Sequence, residues 1–181
     1  MRRLVVALLA VAVLGAGLLV DHAERAWPST RPFVRTGTVG EEVRLWPGWV
    51  EVRGARAANS YVDPYGDEIP TDGVWVAVDV VLTGGREPVG VAQWTLEDAA
   101  GRRFQASERG GAYLMDSAQP ESPLRAEIVF EVPRDALGRL VVRAGTRGAD
   151  DRLGAVAAID VTVEEVSQRP MTAEQPRWEE R

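Results

Sequence analysis

Residues 73–82 read GVWVAVDVVL, and this stretch decides the fold. Val74, Val76, Val78, Val80 and Leu82 fall on one side of an extended backbone, while Trp75, Ala77, Asp79 and Val81 fall on the other. A run this rich in β-branched and aromatic side chains, alternating with period two, predicts a strand. Both of its faces are largely apolar, so the strand is expected to be central and covered twice.

The flanking sequence supplies more strands of the same kind. Leu124, Ala126, Ile128, Phe130 and Val132 alternate with Arg125, Glu127 and Glu131, and only Val129 is out of step; Pro133 ends the run. Val43 and Leu45, then Val50 and Val52, predict two strands joined at Pro47-Gly48. Trp94 and Leu96, Arg102 to Ala106 with Phe104, Leu140 to Ala144, and Ala155 to Val163 complete the set. The 18 glycines and 11 prolines are spread between these short runs, which suits an all-β domain better than a helical bundle. Seven to nine strands at this spacing, with a tryptophan in a central one, predict an immunoglobulin-like two-sheet β-sandwich over residues 39–166.

The amino terminus is different. After Arg2 and Arg3, the run LVVALLAVAVLGAGLLV carries 17 uncharged apolar residues from Leu4 to Val20. Such a run predicts a transmembrane helix over residues 1–20, somewhat short but workable. The arginines before it, with Asp21 and Glu24 after it, place the amino terminus inside and the domain outside. Gly15, Ala16 and Gly17 offer the competing reading of a cleaved signal peptide, which would release a secreted protein. Residues 21–38, with Pro28 and Pro32, are expected to form a stalk, with Trp27 placed to rest at the membrane interface. Residues 167–181 are polar, contain Pro170 and Pro176, and are expected to be disordered or only loosely docked.

Composition excludes several classes of activity. The formal charge is −6, and such an acidic surface repels phosphate backbones, so nucleic acid is not an expected partner. There is no cysteine, which removes disulfides, thiolate chemistry and a lipid-anchor cysteine. Lysine is absent as well; together with the alanine, glycine and valine content this reads as the coding bias of a high-GC bacterium such as an actinobacterium. The one histidine, His22, lies beside the apolar run and is a poor catalytic candidate. Only carboxylate pairs remain for enzymatic chemistry, and no pair, Glu108 and Asp116 included, stands out from surface alternation. No enzyme activity, catalytic residue, cofactor or metal site is therefore expected.

Three features are candidates for recognition. Trp46 and Trp49 flank a turn and suit a sugar or peptide platform, although aromatics at a turn more often pack across strands. The stretch 59–73, NSYVDPYGDEIPTDG, is expected to be a long irregular loop. Its Asp63, Asp67, Glu68 and Asp72 raise calcium binding as an alternative, although their spacing is not that of an EF-hand; Tyr61 and Tyr65 suit a protein-contact surface. Residues 107–123 form a second loop, in which Tyr113, Leu114 and Met115 are expected to plug the end of the core.

The segments GVWVAVDVVLTG, WTLEDAAGRRF (Trp94 to Phe104) and VFEVPRDALGRLVV (Val129 to Val142) resemble, in this order, a family of exported bacterial immunoglobulin-like domains of unknown function that includes the secreted mycobacterial immunoprotective antigen. The likeness rests on Asp98, Gly101, Phe104, Phe130, Val132 and Pro133, which mark turns and core, and it implies no catalytic residues. The expectation is a binding or adaptor module of the cell envelope. It would be single-pass in the cytoplasmic membrane, with an unknown envelope or membrane protein as partner, and a homodimer through an edge strand belongs to the same class.

Overall fold

The computed structural model describes residues 2–26, 31–63, 65–110, 117–147, 154–172 and 174–179, with helix side chains described from residue 9 to residue 23. Helix α1 (Arg2–Ala26) is followed by strands β1 (Phe33–Thr38), β2 (Glu42–Leu45), β3 (Gly48–Val62), β4 (Glu68–Thr83), β5 (Gln93–Asp98) and β6 (Arg103–Gln105). Then come β7 (Leu124–Val132), β8 (Gly138–Gly145), β9 (Ala155–Val163), β10 (Val166–Ser167), β11 (Met171–Thr172) and β12 (Arg177–Trp178).

These strands form a β-sandwich. One sheet has the order β1-β9-β8-β5-β6; the other has the order β10-β3-β4-β7-β12, with β2 and β11 also paired to β3. The quoted stretch lies in β4, hydrogen-bonded on both sides, with Val76 opposite Ala57 of β3 and opposite Phe130 of β7. Val74, Val76, Val78, Val80 and Leu82 point between the sheets and join Trp94, Leu96, Leu140, Val142, Ile159 and Val161 from the facing layer in one buried core.

The opposite side of β4 is covered as well. Trp75 and Ala77 pack with Ala58, Tyr61, Val129 and Met171 in a second buried cluster on the outer face of the sheet. Val129, the one residue out of step in β7, belongs to this cluster, so its apolar character serves the outer face. A register shift between Ala58 and Ser60 lets the far part of the β3–β4 hairpin cover Trp75. The Tyr61 ring lies tilted against that of Trp75, 5.5 Å between centroids, and the indole N–H of Trp75 donates to the Ile69 carbonyl at 3.0 Å.

Three sequence expectations are corrected. Residues 59–73 are not a long loop: β3 runs to Val62 and β4 starts at Glu68, leaving a short turn. The aspartates and prolines suggested a loop, but Tyr61, Ile69 and Trp75 need extended backbone to meet on one face. The stalk is shorter than residues 21–38, because Phe33–Thr38 forms β1, parallel to β9 from Phe33 opposite Ala155 to Thr38 opposite Asp160. Nearly all of its side chains are exposed, so an edge strand held by its backbone leaves no hydrophobic pattern to read.

The third correction concerns the tail. Val166 and Ser167 pair with Ala57 and Ala58, and Met171 pairs with Tyr61. The chain then passes β7, where the Glu174 N–H donates to Glu127 at 2.8 Å, and ends with Arg177 opposite Arg125 and Trp178 opposite Leu124. Glu179 accepts from Arg53 at 2.8 Å. That hydrogen bond, with the nearby charge of Arg125, holds the Glu179 carboxyl below its ordinary pKa. One buried methionine and paired polar groups are enough to dock a segment whose overall composition is polar.

The β5–β6 turn is organised by Asp98. Its carboxylate accepts from the backbone N–H groups of Ala100 and Arg102 at 2.9 and 2.8 Å and from the Arg102 side chain at 2.6 Å. Gly101 has φ +79°, a conformation that suits glycine. Burial pushes the Asp98 carboxyl up, but the hydrogen bonds and charge of Arg102 outweigh it, so its pKa is lowered. A carboxyl lowered in the folded state adds stability above its unfolded pKa and loses it as pH falls through the folded one. Asp98→Asn is therefore expected to flatten the loss of thermal stability below pH ~4, as read by melting curves across pH.

At the amino terminus, the described side chains of α1 are open to solvent and none joins a buried cluster. Among the described residues no helix is long and apolar enough to cross a membrane. The described side chains begin at Leu9, partway through the Leu4–Val20 run.

Candidate functional site

The β2–β3 turn carries the most distinctive surface chemistry in the domain. Leu45 and Val50 point into the core, which leaves Arg44, Trp46 and Trp49 outside it. Arg44 and Trp49 are cross-strand partners. The Arg44 guanidinium lies 4.3 Å from the Trp49 ring centroid and 5.1 Å from that of Trp46. A cation held against two indoles is attracted by both ring faces. Trp46 nevertheless remains 67% exposed.

The loop after β4 closes over this turn. A Cβ on Gly85 would lie 2.2 Å from the Pro47 carbonyl oxygen, so only glycine allows the two backbones to approach this closely. Between them is a cavity of about 490 Å³, lined by Arg44, Trp46, Pro47, Trp49, Gly85, Arg86 and Glu87. Indole faces, two guanidiniums and one carboxylate suit stacking and the pairing of anionic groups. The sequence singled out the two tryptophans. It did not single out Arg44, although the alternation R-L-W places Arg44 in β2 and Trp46 just beyond it on one side of the chain.

The other sequence candidates are placed differently. Asp63 Oδ1 accepts the backbone N–H groups of Tyr65 and Asp67, each at 2.9 Å, so this carboxylate closes its own turn. Among the described residues no three of His, Asp or Glu gather closely enough to hold a metal ion. Tyr61 is fully buried and therefore part of the packing rather than a contact surface; its burial raises the hydroxyl pKa. Tyr65, at 92% exposure, is the open residue of that hairpin. Glu108 opens a short 3-10 turn, while Asp116, Tyr113, Leu114 and Met115 lie outside the described residues, as does Trp27. His22 is exposed on α1.

On the outer face of the β3-β4-β7 sheet, the charges are paired across strands. Arg125 donates to both oxygens of Asp79, at 2.8 and 2.7 Å, and Arg56 donates to both oxygens of Glu127, at 3.1 and 2.6 Å. Bidentate pairs of this kind fix strand register and support the tail.

No family model matches this chain, and no curated protein matches it. Two solved structures are similar in fold. One is the yjhA protein from Bacillus subtilis, 13% identical with a TM-score of 0.49, the match covering 68% of this chain and 99% of that one. The other is an uncharacterized β-sandwich protein from Clostridium difficile 630, 9% identical with a TM-score of 0.47, covering 72% of this chain and 95% of that one.

Proposed function

We propose that this chain is an extracytoplasmic binding or adaptor module: an immunoglobulin-type β-sandwich held at the bacterial cytoplasmic membrane by its amino-terminal helix, working by recognition rather than by bond-making. The observation that carries the proposal is the bare apolar helix. From Leu9 to Val20 the large apolar side chains of α1 are 58–72% exposed, and they continue a run that begins at Leu4. An unpartnered apolar surface of this length is costly in water and favourable in lipid. Arg2 and Arg3 before it and Asp21 after it favour the amino terminus inside.

The immunoglobulin part of the proposal draws support from the antiparallel order β9-β8-β5 facing β3-β4-β7, and from Trp94 buried on β5. The likeness to exported bacterial domains of that type points the same way. Recognition is favoured by the open indole of Trp46 beside Arg44, while Asp63 is engaged in its own turn and Asp79 and Glu127 in arginine pairs. The exposed β2–β3 turn and the Tyr65 hairpin are the surfaces offered to an envelope protein.

The test is made on the full chain expressed in a bacterial host. The expected result is a membrane fraction that resists carbonate extraction and a domain that protease added outside the cytoplasmic membrane can digest. A chain found in the cytosol, or protected from external protease, overturns the proposal. A shortened product in the medium, beginning after Gly15-Ala16-Gly17, replaces the anchor with a cleaved signal while keeping the export.

A further inference from the structure

The topology sorts the surface of the sandwich by its two ends. Strand β1 begins at Phe33, and its partners Ala155 and Val156 lie level with Gly145, which in turn lies level with Gln93. Strand β2 runs back from the 39–41 turn to the same end, where the β2–β3 turn, Thr83 and Leu124 also lie. This is the end at which the chain arrives from α1. Ala26 and Phe33 are separated by at most about 25 Å of extended chain.

Three large aromatic side chains are open at this end. Phe33 is 66% exposed, Trp46 67%, and Trp178, opposite Leu124, 50%. Around them stand Arg31, Arg44, Arg86 and Arg147, against Glu87, Glu121 and the Arg53-paired Glu179 among the described residues. The other end is mixed but net acidic: Glu41 in the β1–β2 turn, Asp67 and Glu68 in the β3–β4 hairpin, and Glu164 and Glu165 after β9 are exposed there, alongside Arg102, Arg103, Arg134 and Arg139. Three exposed aromatics and four arginines thus share the end where the helix enters, in a chain of net charge −6, while Tyr65 stands open at the other end.

We propose that this end of the sandwich docks on the surface of the membrane that holds the helix, with Phe33, Trp46 and Trp178 at headgroup level and Arg44, Arg86 and Arg147 against the phosphates of anionic lipids. The proposal rests on the anchoring proposed above. Indole rings favour the interface, where an apolar body meets a polar edge. Arginines near an anionic leaflet are attracted to it, and a far end in which carboxylates outnumber arginines is not, which orients the domain upright. Because the tether is short, the effective concentration of lipid surface is high, and contacts too weak to bind a free domain are sufficient.

The test uses full-length chain reconstituted in vesicles of phosphatidylcholine alone or mixed with phosphatidylglycerol. The chain has no cysteine, so Glu87→Cys and Glu165→Cys each provide a unique dye position at the two ends. Headgroup-spin-labelled lipid is expected to quench the dye at position 87 and spare the dye at position 165, more strongly when phosphatidylglycerol is present. Adding Arg44→Glu and Arg86→Glu is expected to weaken docking by about fivefold or more, the factor carried by one arginine near an anionic surface. Trp46→Ser with Trp178→Ser is expected to reduce quenching at position 87 in both lipid mixtures. Equal quenching at both positions in carbonate-resistant vesicles overturns docking while leaving the anchor in place. Loss of the chain from the vesicles in carbonate overturns the anchor, and docking with it.

Discussion

Ending the chain after Glu165 is expected to lower the melting temperature by roughly 10 °C in melts of the two chains in one detergent. The segment removed buries Met171 at 4% exposure against Trp75 and Tyr61. Burial of such a side chain contributes about 1.5–3 kcal/mol. The lost backbone pairing adds about 0.5–1.5 kcal/mol for each hydrogen bond. The ion pairs of Glu179 with Arg53 and Arg125 involve partly exposed side chains and add little. The total is about 3–5 kcal/mol, and a chain of this length shifts by about 2–4 °C for each kcal/mol. An unchanged melting temperature would mean that the tail merely rests on the sheet.

Replacing Trp75 by alanine is expected to cost about 3–5 kcal/mol in the full chain. The indole is fully buried, and the Arg109 guanidinium sits 5.5 Å from its ring. In the chain ended after Glu165 the same substitution is expected to cost less than half as much, because the ring has already lost part of its cover. Residues that share one cluster are coupled, so the two changes are non-additive. Full additivity in a double-mutant cycle of melts would separate the tail from the Trp75 cluster.

Much of the sandwich is readable in the sequence because its central strands obey period two over long runs. The alternation of β4 and β7 gave their inward faces directly, and the doubly apolar character of residues 73–82 gave the covering on both sides. The features that sequence reading misplaced share one cause: they are held by something other than a hydrophobic stripe. Strand β1 is held by its backbone, the β3–β4 hairpin by a few residues meeting across a register shift, and the tail by one methionine and paired charges. The candidate site was half legible. Two tryptophans about a turn are conspicuous, but the placing of Arg44 between them, and of Arg86 across the cavity, depends on a loop whose approach is set by Gly85.

The parallel pairing of β1 with β9 has a mechanical consequence. In the anchored arrangement proposed above, a pull between the helix and a load at the opposite pole acts lengthways along β1, whose six register pairs share it at once. The ladder would have to slide as a whole rather than open rung by rung. A strand with almost nothing buried thus becomes the part of the domain best placed to carry tension, and its orientation converts a modest edge into a shear clamp at the root of the tether.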